Sequence, residues 1–277
     1  MSGKIKLSKT AVITVANSKG GSGKSTTASM LARTLGEKGY RVLAIDCDSQ
    51  MDLTNTLGFT VDESLVEFGL TLIDFNKTIY QLIKTKGDIS EFIIPTKYKN
   101  LDIIAGDDYI GRIEFDLHHE YQRETILKKI MKKMVNENTY DFVIFDTSTH
   151  LGDLAANILN ITNHVIIPVP MAMFGIRGIR TFIDFYNQFT EINEDLEIMG
   201  ILMTMYRPNN KIMNERAQTL LTNIFGQELI FSTKISIDTN IEKAQWNNVT
   251  AVDYAPKARA TLQYHDLTKE VIKRVEK

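Results

Sequence analysis

The chain has 277 residues, 43% hydrophobic and 24% charged, with a formal net charge of −2; this is apolar material enough for one large α/β domain or two small ones. The near-neutral balance excludes a wholly basic nucleic-acid-binding protein and leaves room for a basic patch completed by assembly. The single cysteine, Cys47, excludes an internal disulfide and a cysteine-built metal cluster, and points to a reducing, cytoplasmic setting.

"TAVITVA" (10–16) reads as a buried strand, and its apolar run is too short for a secretory core. A glycine-rich stretch, "SKGGSGKST" (18–26), follows and leads into a helix over 25–39. "RVLAID" (41–46) is the second strand. Between 58 and 100 the strand–helix alternation blurs, which predicts a lid or a small helical insertion. Further strands are expected at 101–105, 141–146, 164–169 and 197–204, with helices at 120–136, 175–190 and 211–224. "VIIPVPMAMFGI" is broken by Pro168 and Pro170 and falls well below the roughly 18 residues of a membrane span. The closing segment "ATLQYHDLTKEVIKRVEK" places Leu267, Val271 and Val275 on one helical stripe that docks on its own domain.

Strands that are apolar throughout and alternate with helices imply an α/β fold, a mostly parallel twisted sheet with helices on both faces. With no repeat, low-complexity tract or linker, the expectation is one domain over 1–277. The short lead before the first strand leaves no room for a helix-turn-helix domain.

The glycine-rich stretch meets each demand of a P-loop, so the fold is expected to be that of a P-loop NTPase. Gly20, Gly21, Ser22 and Gly23 can turn backbone N–H groups toward phosphates, Lys24 supplies the β/γ charge, Ser25 a hydroxyl for Mg²⁺, and Thr26 the opening of the helix. At average residue usage such a run arises by chance in about one chain in 10⁴ to 10⁵, so a mere flexible turn is a poor explanation. Asp46, Asp48 and Asp146 end two of the strands and should share the crevice at the carboxyl edge of the sheet. The residues alone do not divide the roles among them. Lys19 sits too early to share the work of Lys24. A lysine aimed outward could supply charge in trans to a second copy, as an arginine finger does.

"KGGSGKST" resembles the deviant P-loop of the ParA/MinD group of ATPases, and the likeness runs along nearly the whole chain. "AIDCDSQMDLTNTLG" is similar to the family's DxDPQxNxT segment, "YDFVIFDTSTHLG" to its Walker B segment, "HVIIPVPMAMFGIRGI" and "GILMTMY" to the two strands after it, and "YHDLTKEVI" to its closing helix. The resemblance implies a plasmid- or chromosome-partitioning ATPase of the ParA type with ATP and Mg²⁺ as cofactors. It implies that Lys19 crosses a dimer interface, Lys24 binds the β- and γ-phosphates, Ser25 the Mg²⁺ and Thr26 the α-phosphate. Asp48 would position the attacking water and Asp146 hold Mg²⁺ through a water, with Asp46 supporting the same cluster. Ser49 stands where the family has proline after the second aspartate, and Thr147 to Thr149 replace the prolines after the Walker B aspartate; both loops should gain flexibility.

The family further implies an ATP-dependent homodimer that binds DNA non-specifically on the nucleoid. Release would follow hydrolysis stimulated by a ParB-like centromere-binding protein. Candidate phosphate contacts are Arg207, Lys211, Arg216, Lys257 and Arg259, then Lys269, Lys273 and Arg274. "TMY" (204–206) resembles ParA more than MinD, so no stable membrane association is expected. The alternatives are a MinD-like membrane-cycling ATPase and a P-loop metabolic enzyme such as a ligase. The five histidines lack metal-ligand spacing, and Cys47 should pack as a small hydrophobe. Trp246 and the neighbouring "IEKAQWNN" should form a helix near the nucleotide or the dimer edge.

Overall fold

The computed structural model describes residues 7–171 and 173–276; over 173–178 it describes the helix but not the side chains. Ala172, inside the "VIIPVPMAMFGI" run, and Lys277, the last residue of the closing segment, lie outside the described residues.

Eight strands form one sheet: β1 (Ala11–Val15), β2 (Val42–Cys47), β3 (Ile94–Pro95), β4 (Leu101–Ile104), β5 (Phe142–Thr147), β6 (His164–Pro170), β7 (Glu197–Tyr206) and β8 (Ile230–Ser236). Their spatial order is β8-β7-β6-β1-β5-β2-β4-β3. Every pairing is parallel except the short β3 edge, which runs antiparallel to β4. The α/β class and the mostly parallel sheet are as expected. β1 lies between β5 and β6, where the chain winds away in both directions, and an open sheet forms its ligand crevice there.

Strict alternation explains why both faces need cover. Ala11, Ile13 and Val15 of β1 join a core with Phe142 and Ile144, while Val12 joins the opposite core with Val143 and Phe145. Helices α1 (Lys24–Glu37), α2 (Asp52–Thr56), α10 (Ala251–Tyr254) and α11 (Arg259–Val275) cover the first face, where Leu267 and Val271 are fully buried. The closing helix thus docks on the sheet. Helices α3 (Ile79–Thr85), α4 (Ile113–His118), α5 (Ile126–Asn136) and α6 (Asp153–Ile161) cover the second, and α7 (Met173–Tyr186) lies against the β6–β7 side. A buried aliphatic or aromatic side chain contributes about 1.5–3 kcal/mol relative to exposure, so these two cores hold the strand ends in place.

Two expectations change. The helix read over 120–136 begins later: Gln122 takes a left-handed φ of 53°, a single 3-10 turn spans Arg123–Thr125, and α5 starts only at Ile126. There the Asn157 carboxamide accepts the Leu127 N–H at 3.0 Å. β8 was not anticipated. The 58–100 region is a small insertion, in which Phe59–Thr60 pairs with Thr71–Leu72 around a short helix, Glu63–Phe68, before α3.

Candidate functional site

Backbone amides can converge on a phosphate only where the chain turns through left-handed conformations that a Cβ disfavours. Gly21 and Gly23 adopt φ of 66° and 90°. Gly23 opens α1, which starts at Lys24 rather than Thr26, so Lys24 and Ser25 belong to its first turn. The unpartnered amides of that turn form a positive pole facing the crevice. Three anchors fix the loop: the Asn17 carboxamide donates to Pro168 O at 2.7 Å and accepts Lys19 N–H at 3.0 Å, and the Thr204 hydroxyl donates to Ser22 O at 2.9 Å.

Beside the loop a cleft of about 960 Å³ opens along the carboxyl edge of the sheet. Gly20 through Thr26 line it, with Asp48, Gln50, Asp52 and Ser148 to His150 on one flank. The other flank is an apolar shelf of Met205, Ile235, Ile237, Ile241 and Tyr264, suited to a flat aromatic ring. Gln245 of α9 (Thr239–Trp246) reaches from the shelf side to donate to the Thr26 hydroxyl at 3.2 Å. Lys19 is not among the described residues that line the cleft. Trp246, at the end of the same helix, is 89% exposed.

The strand ends bring Asp46 and Asp146 side by side, paired directly across β2 and β5. Both are fully buried, yet they are satisfied differently. Asp46 accepts the Thr54 N–H and hydroxyl at 2.8 and 2.7 Å and the Asp48 N–H at 3.1 Å. Burial pushes its carboxyl up to about 6 against those hydrogen bonds. The Thr54 hydroxyl in turn accepts Gly106 N–H at 2.9 Å. Asp46 therefore ties the Asp48 loop to the sheet. Asp146 has both oxygens buried without a well-formed hydrogen bond among the described residues. Burial and then Asp46 raise its carboxyl well above the usual range, with the nearby Ser25 hydroxyl and Lys24 pulling it down. Lys24 is itself buried, which lowers its ammonium, while Asp146, Asp48 and Asp52 oppose that shift.

Orphaned carboxylate oxygens facing Ser25 and Lys24 fit the hydration shell of a magnesium ion better than direct ligation. No group of three or more His, Cys, Asp or Glu among the described residues could hold a metal ion, so such an ion would depend on phosphate, Ser25 and water.

The basic candidates divide. Arg207 precedes α8 (Lys211–Phe225), Lys211 opens it and Arg216 follows on it, while Lys257 precedes α11 and Arg259 opens it; all are exposed. The two groups start from one end of the sheet, where Tyr206 pairs with Ser236 and Asp238 accepts Ala260 N–H at 3.2 Å. Lys269 pairs with Asp266 at 2.7 Å. Arg274 is a correction: it donates to Met199 O and to Ile230 O at 3.1 Å and lies 4.2 Å from the Phe231 ring centroid, so it seals β7 and β8 rather than facing a ligand.

Sequence reasoning missed Thr54, Gly106, Thr204, Gln245 and Glu114. Thr54, Thr204 and Gln245 lie inside segments already singled out, and Gly106 and Glu114 carry no local signal. Cys47 is buried in the second core, where burial raises its thiol pKa, as fits a small hydrophobe.

With this geometry in place, the comparisons agree. The AAA domain family matches residues 10–198. The chromosome-partitioning ATPase Soj of Treponema pallidum is 29% identical over 259 residues, covering 93% of this chain and 95% of its own. A plasmid partition protein of Borrelia burgdorferi bound to AMPPNP has a TM-score of 0.76 at 25% identity, covering 96% of this chain and 99% of that one. Cobyrinic acid a,c-diamide synthase of Mycobacterium smegmatis, with bound ATP analog and magnesium, shares the fold at a TM-score of 0.79 and 24% identity, covering 95% and 94%. Together with the P-loop and the paired strand-end aspartates, these matches show that the chain belongs to the AAA-domain family, among the P-loop ATPases of the Soj/ParA type.

Proposed function

We propose that the chain is a Mg²⁺-dependent DNA-partitioning ATPase that dimerises on ATP, binds DNA without sequence preference, and leaves it after hydrolysis stimulated by a ParB-like partner. The observation that carries this reading is the split between two lysines of one loop. Lys24 is buried at the centre of the acidic crevice, whereas Lys19, five residues earlier, takes no part in the cleft lining. A phosphate site completed from outside is a site completed by a second copy.

In this reading Gly20 to Gly23 present amides to the phosphates and Lys24 neutralises the β/γ oxygens. Ser25 and, through water, Asp146 hold magnesium, which when bound offsets phosphate charge. Thr26, already engaged by Gln245, contacts the α-phosphate, and the shelf at Met205, Ile237 and Ile241 takes the base. Asp48 orients the attacking water. Asp46 acts at one remove, since Thr54 and the Asp48 amide engage its oxygens. Arg207, Lys211, Arg216, Lys257 and Arg259 supply phosphate contacts that dimerisation doubles.

The MinD-like alternative needs an apolar helix face free for lipid, and on α11 Leu267 and Val271 already serve the core. Among the described residues no helix is long and apolar enough to cross a membrane. The ligase alternative rests on a likeness of fold alone. A cytoplasmic, nucleoid-associated protein of one domain follows from the partitioning reading.

Lys19→Ala tests the trans role. By light scattering the wild type should become a dimer with ATP, and the variant should bind ATP with a Kd within about three-fold of wild type, a shift well below 1 kcal/mol, yet stay monomeric and inactive. A variant that hydrolyses ATP normally would remove Lys19 from the mechanism.

A further inference from the structure

The loop after Asp146 lacks the prolines that would stiffen it, and the structure supplies another restraint. Glu114 Oε2 accepts the Asp153 N–H at 2.6 Å and Glu114 Oε1 the Leu154 N–H at 3.2 Å. These are first-turn amides of α6, so a carboxylate from a distant helix does the work of an N-cap and meets the positive pole of the helix dipole. Gly152 has extended backbone, φ −125°, so its lack of a side chain is a matter of space: a Cβ there would collide with the Glu114 carboxylate. On its far side, Arg123 pairs with Asp153 at 3.1 Å.

Glu114 is itself held firmly. Ile113 and Leu117 of α4 are buried, and Tyr80 of α3 donates to Asp116 at 2.9 Å. Glu114 also lines the cleft, with Ser148, Thr149 and His150, and His150 Nε2 lies 4.0 Å from Glu114 Oε1. The other end of the loop is fixed by the Thr147 hydroxyl, which donates to Val15 O at 3.0 Å. Residues 148–152 are thus strung between β1 and α4, along the flank where the terminal phosphate would lie.

We propose that Glu114 is a positioning residue: by capping α6 across Gly152 it fixes the path of the loop that follows Asp146, and so sets the geometry of that flank for hydrolysis. It contacts no phosphate in this account and acts through the loop. The catalytic part rests on the ATPase reading above; the structural part does not.

The test compares wild type, Glu114→Ala, Glu114→Gln and Gly152→Ala as full-length protein. Steady-state turnover of Mg·ATP is measured along with hydrogen exchange of the 148–154 peptide without nucleotide. Glu114→Ala and Gly152→Ala should lower kcat by about ten- to hundred-fold, the cost of a misplaced flank, with KM for ATP within about three-fold and faster exchange at Asp153 and Leu154. Glu114→Gln keeps one acceptor oxygen but loses the charge and the second acceptor, so it should recover part of the kcat lost in Glu114→Ala. The proposal is overturned if both alanine variants turn over and exchange like wild type. It is also overturned if kcat falls together with ATP binding and Tm, or if Glu114→Gln is as impaired as Glu114→Ala. A wild type without ATPase activity would sink the ATPase reading alone, since exchange at Asp153 and Leu154 still judges the restraint.

Discussion

Lys24→Ala should weaken ATP binding by about 10²- to 10³-fold, roughly 3–4 kcal/mol, the effect expected when a buried charge network loses its cation. The size follows from the surroundings. Lys24 is 6% exposed and the acids that favour its charged form are Asp146, Asp48 and Asp52. With the ammonium gone, polyphosphate would approach three carboxylates and a set of loop amides, and repulsion would add to the lost attraction. Isothermal titration with Mg·ATP checks this, with a thermal melt to show that the variant is folded. Binding within about three-fold of wild type, under 1 kcal/mol, would mean that the loop is not a phosphate site.

Asp146→Asn should move stability and function in opposite directions. In the free protein Asp146 is fully buried next to Asp46, and its oxygens lack well-formed hydrogen bonds among the described residues. Its ionised form is therefore costly, and a neutral amide of the same shape should stabilise the nucleotide-free protein by about 1–3 kcal/mol. For a chain of this size that raises Tm by about 2–4 °C per kcal/mol. The sign with pH follows from the direction of the shift. Asp146's folded pKa lies above its ordinary 3.8, so the penalty is full above the folded pKa and fades as pH falls toward the ordinary value. The gain from Asn should therefore be larger near pH 8 than near pH 5, about where an ordinary carboxylate begins to protonate. Mg·ATP should no longer stabilise or be turned over. A variant less stable at every pH, or one that still hydrolyses ATP with magnesium, would contradict the role given to Asp146.

The central part of the molecule was legible because its signals are local. A glycine run between an apolar strand and a helical pattern places Lys24 and Ser25, and strands ending in aspartate place Asp46 and Asp146, since a parallel sheet aligns its carboxyl ends. What was missed has non-local causes. β8 carries Ser232, Thr233 and Lys234 in mid-strand because it is an edge; Glu270 of α11 accepts the Ser232 and Thr233 amides at 2.9 and 2.7 Å, covering that edge. Glu114 is 39 residues from Asp153 and meets it only through packing of α4 on α6. Arg274 looked like surface charge on a terminal helix, and its guanidinium instead serves carbonyls of two strands whose position no spacing reveals. The division of labour between Asp46 and Asp146 depends on Thr54 and the Asp48 amide, which reach Asp46 alone.

The most direct test of the partitioning account is retention of non-specific duplex DNA by the purified protein with ATP, ADP or no nucleotide, at two salt concentrations. The account predicts binding with ATP alone, falling steeply with salt as expected for a phosphate-contacting surface completed by dimerisation. Binding that ignores nucleotide, or no binding in any state, would contradict it.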